Sequence, residues 1–241
     1  MNHNDAAAVR SDRDYWRKLK ILAERASRDT LSGLLNRETA TAYIEDCLKA
    51  RSPDETCALF IIDLDNFKQV NDSFGHQAGD RLIQQAASIL SRCFRATDIV
   101  GRLGGDEFFA LLSGKVTKKI VREKAQKICE QLQFSIGSPA EVRVTSSVGA
   151  YLAFGAVSFE TLYARADSAL YEAKANGKNG FQINAGGEGR TVTKRAEKNV
   201  MPFPIHIHSL LTHLDSVVKL KTCYNLFTYN EERAYGGTSK T

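Results

Sequence analysis

The feature that most constrains the fold is a continuous apolar run that ends abruptly in two acidic residues. The run Cys57–Ile62 contains no polar position, and Asp63 and Asp65 follow it at once. An apolar run of this length without alternation is typical of a strand buried on both faces. The sequence therefore predicts a sheet covered by helices, with carboxylates where a buried strand surfaces at its carboxyl end.

A second acidic pair lies in a predicted hairpin. Val100–Leu103 and Phe108–Leu112 are short apolar runs, and Gly104-Gly105-Asp106-Glu107 separates them. Consecutive glycines between two such runs indicate a tight β-hairpin. We therefore expect both carboxylates at its tip.

The rest of the chain alternates helical and strand patterns. Apolar spacing predicts helices over Arg37–Ala50, Phe67–Asn71, Gln77–Phe94, Lys118–Leu132 and Phe159–Asn176, and a further strand over Val142–Leu152. This order predicts a palm-like α/β (α+β) sandwich, in which helices flank a central, mostly antiparallel sheet.

Composition excludes several functional classes. The formal net charge of the 241 residues is +5, which suits an anionic ligand but is too mild and too evenly spread to indicate nucleic-acid binding. The first ten residues hold no apolar segment that could serve as a signal peptide. No apolar run is long enough to cross a bilayer. We therefore expect a cytoplasmic protein that binds neither nucleic acid nor a membrane.

The cysteines predict no cross-links. Five of them are dispersed singly, without a CxxC pair, at positions 47, 57, 93, 129 and 223. An odd, dispersed set disfavours both a disulfide framework and a structural zinc site. Buried free thiols are the expectation.

Four stretches carry a family resemblance: Asp29–Arg37, Phe60–Asp80, Arg102–Phe108 and Ala166–Asn179. In order and spacing they resemble the opening motif, the metal and guanine segment, the signature hairpin and the closing helix of the GGDEF family of diguanylate cyclases. One departure is Ser32, where threonine is usual. The resemblance extends from about residue 29 to residue 184.

The resemblance implies a metal site for phosphoryl chemistry. It assigns Asp63, the Leu64 carbonyl, Asp106 and Glu107 to Mg²⁺, with Mn²⁺ as a substitute. Hard cations with oxygen ligands suit a reaction in which negative charge crowds a triphosphate. One hairpin carboxylate would deprotonate the attacking hydroxyl. The alternative is that the strand-end aspartates are turn or capping groups and that the hairpin is an ordinary exposed one. Asp65 is expected to cap the short helix after it.

The resemblance also assigns the groups that bind GTP. Asn71 and Asp80 would recognise guanine, the alternatives being a helix-end cap and a first-turn acid. A site built around these acceptors would reject adenine strongly. The remaining assignments are Gly104 and Gly105, against whose backbone the nucleotide would lie, and His76, for which structural packing is the alternative.

The resemblance further implies that three lysines contact the phosphates. Lys68 would take part in catalysis together with the hairpin carboxylates Asp106 and Glu107. Lys174 and Lys178 lie four residues apart, a spacing that predicts one helical face. For Lys178 the alternative is an ordinary solvated face.

A second site is predicted upstream of the hairpin. Arg95-Ala-Thr-Asp98 matches the inhibitory RxxD motif of the family, in the expected position. Arginine can bind phosphate or guanine through two hydrogen bonds, and aspartate can accept hydrogen bonds from guanine N–H groups. The alternative is an i, i+3 ion pair at a helix end.

The predicted domains are a lead-in helix at residues 1–28, a catalytic domain at 29–185 and a C-terminal extension of unknown role at 186–241. The lead-in helix would span Asp14–Arg28, with a stripe formed by Trp16, Leu19, Ala23 and Ala26. This stripe indicates either a short coiled-coil seam or a helix docked on its own domain.

The resemblance implies an enzyme that condenses two GTP molecules into cyclic di-GMP with release of pyrophosphate. Attack by each 3′-hydroxyl on an α-phosphate would take place in a two-fold homodimer, and the product would inhibit through RxxD. The alternative is an inactive GGDEF domain that binds cyclic di-GMP or GTP as a signalling module. The retained glycines and carboxylates favour the enzyme.

Overall fold

The central strand is buried along nearly its whole length, as its composition requires. The computed structural model describes residue 15 and residues 17–52, 54–137 and 141–186. In it, strand β1 spans Thr56–Asp65, and every residue after Thr56 is buried. The aspartates at its end belong to the strand itself rather than to a following loop.

Six helices and six strands make up the described part of the chain. The helices are α1 (residues 17–26), α2 (Arg37–Ala50), α3 (Phe67–Phe74), α4 (His76–Cys93), α5 (Lys118–Gln131) and α6 (Phe159–Ala175). The strands are β1, β2 (Ile99–Gly104), β3 (Glu107–Gly114), β4 (Phe134–Ile136), β5 (Val142–Phe154) and β6 (Gly180–Ala185).

The sheet has the order β2-β3-β1-β5-β4, with β6 beside β5. All pairings are antiparallel except that of β5 with β6. The predicted fold class, a mostly antiparallel sheet flanked by helices, is thus confirmed.

Each face of the sheet carries its own apolar core. Phe60, Leu82 and Ile128 are among the residues that join one face to α4 and α5. Ile44 and Leu170 are among those that join the other face to α2 and α6. Because successive residues of a strand point to opposite faces, β1 contributes alternately to both cores.

Side-chain caps mark the starts of three helices. Asn36, Thr117 and Ser158 each accept a hydrogen bond from a backbone N–H three residues later. Such caps satisfy N–H groups that the first turn leaves without partners. They explain why the predicted starts of α2, α5 and α6 agree with the structure.

Two strands lie where the sequence predicts none. β4 has three residues, too few for an alternating pattern, and β6 contributes only Phe181 and Ile183 as large apolar positions. Both are edge strands held by β5. Their formation depends on that long neighbour rather than on their own composition.

The predicted lead-in helix is present over residues 17–26, while Asp14 and Trp16 lie outside the described residues. Ile21 and Leu22 are 41% and 59% exposed. The chain divides into two units, Met1–Val192 and Thr193–Thr241, and all described residues belong to the first. Among them, none of the helices combines the length and hydropathy that a membrane span requires.

Candidate active site

The central strand and the hairpin bring carboxylates together. β1 pairs with β3 so that Asp63 lies directly opposite Glu107. Residues opposite each other on antiparallel strands project from the same face, with Cβ atoms about 5 Å apart. The N–H of Leu64 donates a hydrogen bond of 3.3 Å to the carbonyl oxygen of Asp106, which keeps the hairpin tip at this edge. All four residues assigned to a metal therefore lie at one end of the sheet.

An arginine to which the sequence analysis gave no role holds the hairpin tip. Arg102 Nε and Nη2 both donate to the carbonyl oxygen of Gly105, at 3.1 and 2.6 Å. Arg102 Nη1 donates to Asp29 Oδ1 at 2.9 Å. Burial raises the pKa of the Asp29 carboxyl, but hydrogen bonds from Ser32 and Arg102 outweigh it, so the pKa lies below its ordinary value. Asp29 and Arg102 both lie in stretches that resemble the family motifs, and this resemblance could have identified them from the sequence.

The backbone of the hairpin tip is open to a ligand. Gly104 and Gly105 have φ angles of +145° and +53°, which side-chain-bearing residues rarely adopt. A Cβ added at either position would meet no atom within 4 Å. The two glycines therefore permit the turn and leave free space beside it.

The carboxylates at this edge are short of positive charge. Burial raises the pKa of Asp106, and the neighbouring Asp63 raises it further. Burial also raises the pKa of Glu107, with Asp63 adding to the rise and Lys174 opposing it. The ionised forms of both side chains are thus less stable here than they would be in water. A cation that entered the cluster would reverse this preference.

Lys174 is the cation that α6 brings to the carboxylates. Its Nζ lies 2.7 Å from Asp63 Oδ2, and the two side chains are 35% and 12% exposed. α6 packs closely on β5 because Gly149 has no Cβ; an added Cβ would collide with the backbone at Ala166 and Leu170. Gly149 therefore sets the distance of the helix from the sheet, and the helix in turn positions the lysine.

A cleft of about 610 Å³ opens beside the carboxylates. All three lysines predicted to bind phosphate line it. The predicted helical face shared by Lys174 and Lys178 is wrong, however, because α6 ends at Ala175. Lys178 lies in the following turn with a φ of +61°, and reaches the cleft from there.

The oxygen donors fit Mg²⁺ only in part. Within the described ranges, no group of three or more His, Cys, Asp or Glu side chains is arranged as a complete metal site. The Asp63 carboxylate is already paired with the ammonium group of Lys174. Mg²⁺ is commonly held by one or two carboxylates, with water and substrate phosphates completing its shell. Carboxylate and carbonyl oxygens at this edge suit that kind of site.

The residues predicted to recognise guanine lie on α3 and α4 and do not line the cleft. Asn71 Oδ1 is buried with no hydrogen-bond partner among the described residues, and it occupies the space that a Cβ on Gly79 would need. Asp80 is exposed and lies beyond the first turn of α4. Neither is a terminal cap or a first-turn acid. His76 begins α4 and is exposed, so core packing is not its role.

Arg95 and Asp98 form a turn between α4 and β2. Asp98 Oδ2 accepts a hydrogen bond of 2.8 Å from the N–H of Arg95, and the N–H of Asp98 donates to the Arg95 carbonyl at 3.0 Å. In the described part of the chain no ion pair joins the two side chains. Arg95 is exposed. The aspartate thus shapes the turn that presents the arginine.

Asp65 does not cap α3, so that prediction is wrong. Asn66 occupies the capping position, without a side-chain hydrogen bond to the helix. The Asp65 carboxylate is 3% exposed and faces β5, where Thr145 and Ser147 donate to it. The hydrogen bonds that Asp65 accepts from β5 replace the helix cap that its local sequence favours.

Comparisons with known proteins agree on one family. Residues 26–180 match the family described as "Diguanylate cyclase, GGDEF domain". Diguanylate cyclase DgcS of Shewanella oneidensis is 32% identical over 167 residues, which are 68% of this chain and 54% of DgcS. The chain thus spans about half the length of that relative.

Solved structures share the fold. The coiled coil and GGDEF domain of DgcB from Caulobacter crescentus, in complex with c-di-GMP, has a TM-score of 0.64 and 26% identity, covering 76% of this chain and 96% of that one. A sensory box/GGDEF family protein, also from Caulobacter crescentus, has a TM-score of 0.56 and 34% identity, covering 63% and 99%.

Proposed function

The chain belongs to the GGDEF family of diguanylate cyclases, and we propose that it condenses two GTP molecules into cyclic di-GMP with release of pyrophosphate. One observation carries the proposal. Asp63 lies opposite Glu107 at the end of a buried strand, with Asp106 beside them in a turn whose glycines leave the backbone open. A module that bound only cyclic di-GMP at another surface would have no need of this set of carboxylates.

Asp63, Asp106, Glu107 and the Leu64 carbonyl would hold Mg²⁺, or Mn²⁺ in its place. A divalent cation bound there would neutralise charge on the phosphates and on the leaving pyrophosphate. The raised pKa values of both hairpin carboxyls support this assignment, because they mark partly desolvated negative charge that lacks compensation.

The lysines of the cleft would bind the triphosphate. Lys68 and Lys178 line it together with Asp63 and Asp106, and Lys174 stands 2.7 Å from Asp63. A lysine already paired with a carboxylate can contact a phosphate oxygen without a large movement, since its ammonium group has three donors. These cations would orient the α-phosphate for attack in line with the leaving group.

A hairpin carboxylate would accept the proton of the attacking 3′-hydroxyl. A general base works best when its pKa approaches the operating pH. Burial and the charge of Asp63 shift Asp106 and Glu107 in that direction. Both hairpin residues remain candidates for this step.

Asn71 and Asp80 would recognise guanine by accepting hydrogen bonds from it. The buried Asn71 Oδ1 has no partner among the described residues, and an unpaired buried acceptor costs about 1–3 kcal/mol. A guanine N–H would relieve that cost, and the exposed Asp80 carboxylate would accept from the remaining donors. Adenine presents no matching N–H edge and would be rejected.

Two domains would face each other during turnover. Each domain offers one set of carboxylates, whereas the product contains two equivalent phosphodiester bonds, so an isologous dimer is needed. The exposed apolar side chains of α1, Ile21 and Leu22, support pairing through that helix. The similar structure of DgcB comprises a coiled coil and a GGDEF domain.

The product would inhibit through Arg95 and Asp98. The exposed guanidinium of Arg95 is available to a phosphate or a guanine, since Asp98 binds the backbone of the turn instead. The similar structure of DgcB contains c-di-GMP. Such feedback would limit product accumulation.

Incubation of the full chain with GTP and MgCl₂, followed by chromatography and mass spectrometry, tests the proposal. Wild-type protein is expected to form cyclic di-GMP, and Asp63→Ala to form none while remaining folded, with a melting temperature lowered by the loss of the pair with Lys174. Asp72→Ala is the matched control, because Asp72 lines the same cleft but stands outside the carboxylate cluster. GTP or cyclic di-GMP binding without turnover by wild-type protein would favour the inactive signalling module.

A further inference from the structure

The last acidic residue of β1 is buried and takes no part in the chemistry proposed above. Asp65 is 3% exposed. Its carboxylate accepts hydrogen bonds from Thr145 Oγ1 at 2.7 Å, Ser147 Oγ at 2.8 Å and the backbone N–H of Asn179 at 3.1 Å. A buried carboxylate is tolerated only when donors satisfy it, and here the donors come from two different elements.

The third donor belongs to the turn that joins α6 to β6. Gly177, Lys178 and Asn179 all have positive φ angles, of 108°, 61° and 48°. The left-handed conformation costs roughly 1–2 kcal/mol for each residue with a side chain. Two such residues in succession persist only where surrounding contacts hold them. The hydrogen bond from Asn179 to Asp65 is a contact of that kind.

This turn carries a lysine into the cleft. Lys178 lines the cleft together with Asp63 and Lys68. Asp63 and Asp65 are two residues apart on β1, so both project from the same face of the sheet. Strand β1 thus presents the Asp63 carboxylate to the nucleotide and, through Asp65, also anchors the turn that carries Lys178.

We propose that Asp65 is a positioning residue, whose buried carboxylate holds residues 177–179 in their left-handed turn so that Lys178 reaches the triphosphate. The inference rests on the proposed function, because it takes the phosphates of GTP as the ligand of Lys178. Asp65 lines the cleft, but its carboxylate already accepts hydrogen bonds from Thr145, Ser147 and the Asn179 N–H, so its proposed action is through the turn rather than on the nucleotide.

The central test is a double-mutant cycle in the full chain. Asp65→Ala and Lys178→Ala are each expected to raise the dissociation constant and KM for GTP about tenfold, the loss of one charge-assisted contact, with a smaller change in kcat. The double variant is expected to bind GTP no more weakly than Lys178→Ala alone, because the turn then has no lysine to place. Effects that multiply, or a fall in kcat without a change in KM, would overturn the proposal.

Two rescue variants separate positioning from general stability. Asp65→Asn should bind GTP nearly as well as wild type, since its amide oxygen can accept from Thr145 and Asn179 while its NH₂ donates to Ser147. Asn179→Gly in the Asp65→Ala background should recover part of the affinity, because glycine adopts positive φ without strain. A role in stability alone predicts that Asn179→Gly leaves the GTP affinity of Asp65→Ala unchanged, which would count against the proposal.

Hydrogen exchange supplies a readout that needs neither activity nor a folded Asp65→Ala variant. The wild-type Asn179 amide should be protected from exchange, although it precedes β6 and lies outside α6. Rapid exchange of this amide in wild-type protein would refute the anchoring contact. Failure of wild-type protein to bind GTP would instead refute the proposed function and leave the exchange result intact.

Discussion

Replacing Asp29 with asparagine would remove the charge paired with Arg102 while keeping the size of the side chain. The two groups lie 2.9 Å apart, and the side chains of Arg102 and Asp29 are 12% and 25% exposed. Hydrogen bonds to charged groups contribute about 1.5–3 kcal/mol, which partial exposure reduces. We therefore expect a loss of about 1–2 kcal/mol in the free energy of unfolding at pH 7. For a domain of this size the melting temperature would fall by about 2–8 °C.

The stability lost in Asp29→Asn should depend on pH in a definite direction. The pKa of Asp29 is lower in the folded protein than its ordinary value of 3.8. The stabilisation is thus fully present above that ordinary value and is lost as the pH falls through the folded pKa. Urea unfolding curves of wild type and Asp29→Asn should therefore differ at pH 7 and converge at acid pH. The rate of cyclic di-GMP formation should also fall, because Arg102 would hold Gly105 less firmly.

Asp46→Asn is the matched control for this experiment. Asp46 pairs with Lys49 at 3.7 Å, and both side chains are largely exposed. Exposed pairs contribute little, so the change should stay below about 0.5 kcal/mol. If Asp29→Asn were no less stable than Asp46→Asn at pH 7, Arg102 would not be the support of the hairpin tip that its contacts indicate.

Acidification should raise the Mg²⁺ concentration needed for half-maximal activity, because Asp106 and Glu107 have raised pKa values and protonation competes with the cation; a pH-independent Mg²⁺ titration would contradict this. Gly149→Ala should lower the free energy of unfolding by about 1–3 kcal/mol, since its Cβ would collide with the backbone of α6. Urea unfolding measures the loss, and an unchanged midpoint would refute the close packing. Arg95→Ala should relieve inhibition by added cyclic di-GMP and leave the initial velocity unchanged; equal inhibition of both proteins in progress curves would rule out the inhibitory site. Leu19→Lys should lower specific activity most at low protein concentration without weakening GTP binding, because a charge would interrupt the α1 seam. Specific activity that is independent of wild-type concentration, with only monomer in sedimentation, would contradict the facing dimer.

The parts of the fold that could be predicted depend on local pattern. The run Cys57–Ile62 identifies a strand buried on both faces, because few other structures accommodate six consecutive apolar residues that end in aspartates. The paired glycines before Asp106 identify the hairpin for a similarly local reason. That the carboxylates of both segments meet at one edge was implied by the family resemblance rather than by these two signals.

The parts that could not be predicted depend on contacts between distant residues. Asp65 has a local sequence suited to a helix cap, yet its strongest partners lie 80 and 82 residues further along the chain. The pairing of Arg102 with Asp29 spans 73 residues. Lys178 has a helical spacing from Lys174, but α6 ends at Ala175 and Gly177 takes a positive φ, so the helix does not continue to Lys178. No periodicity in the sequence encodes the distant contacts of Asp65 and Arg102.

The stoichiometry of product formation tests the central claim most directly. Full-length protein would be incubated with GTP and MgCl₂ under conditions of limited conversion, and pyrophosphate and cyclic di-GMP would be quantified in the same samples. The carboxylate site, used once in each of two facing domains, predicts two pyrophosphates for every cyclic di-GMP, and neither product from Asp63→Ala. Release of inorganic phosphate and GDP, or pyrophosphate without a cyclic dinucleotide, would contradict the proposed reaction.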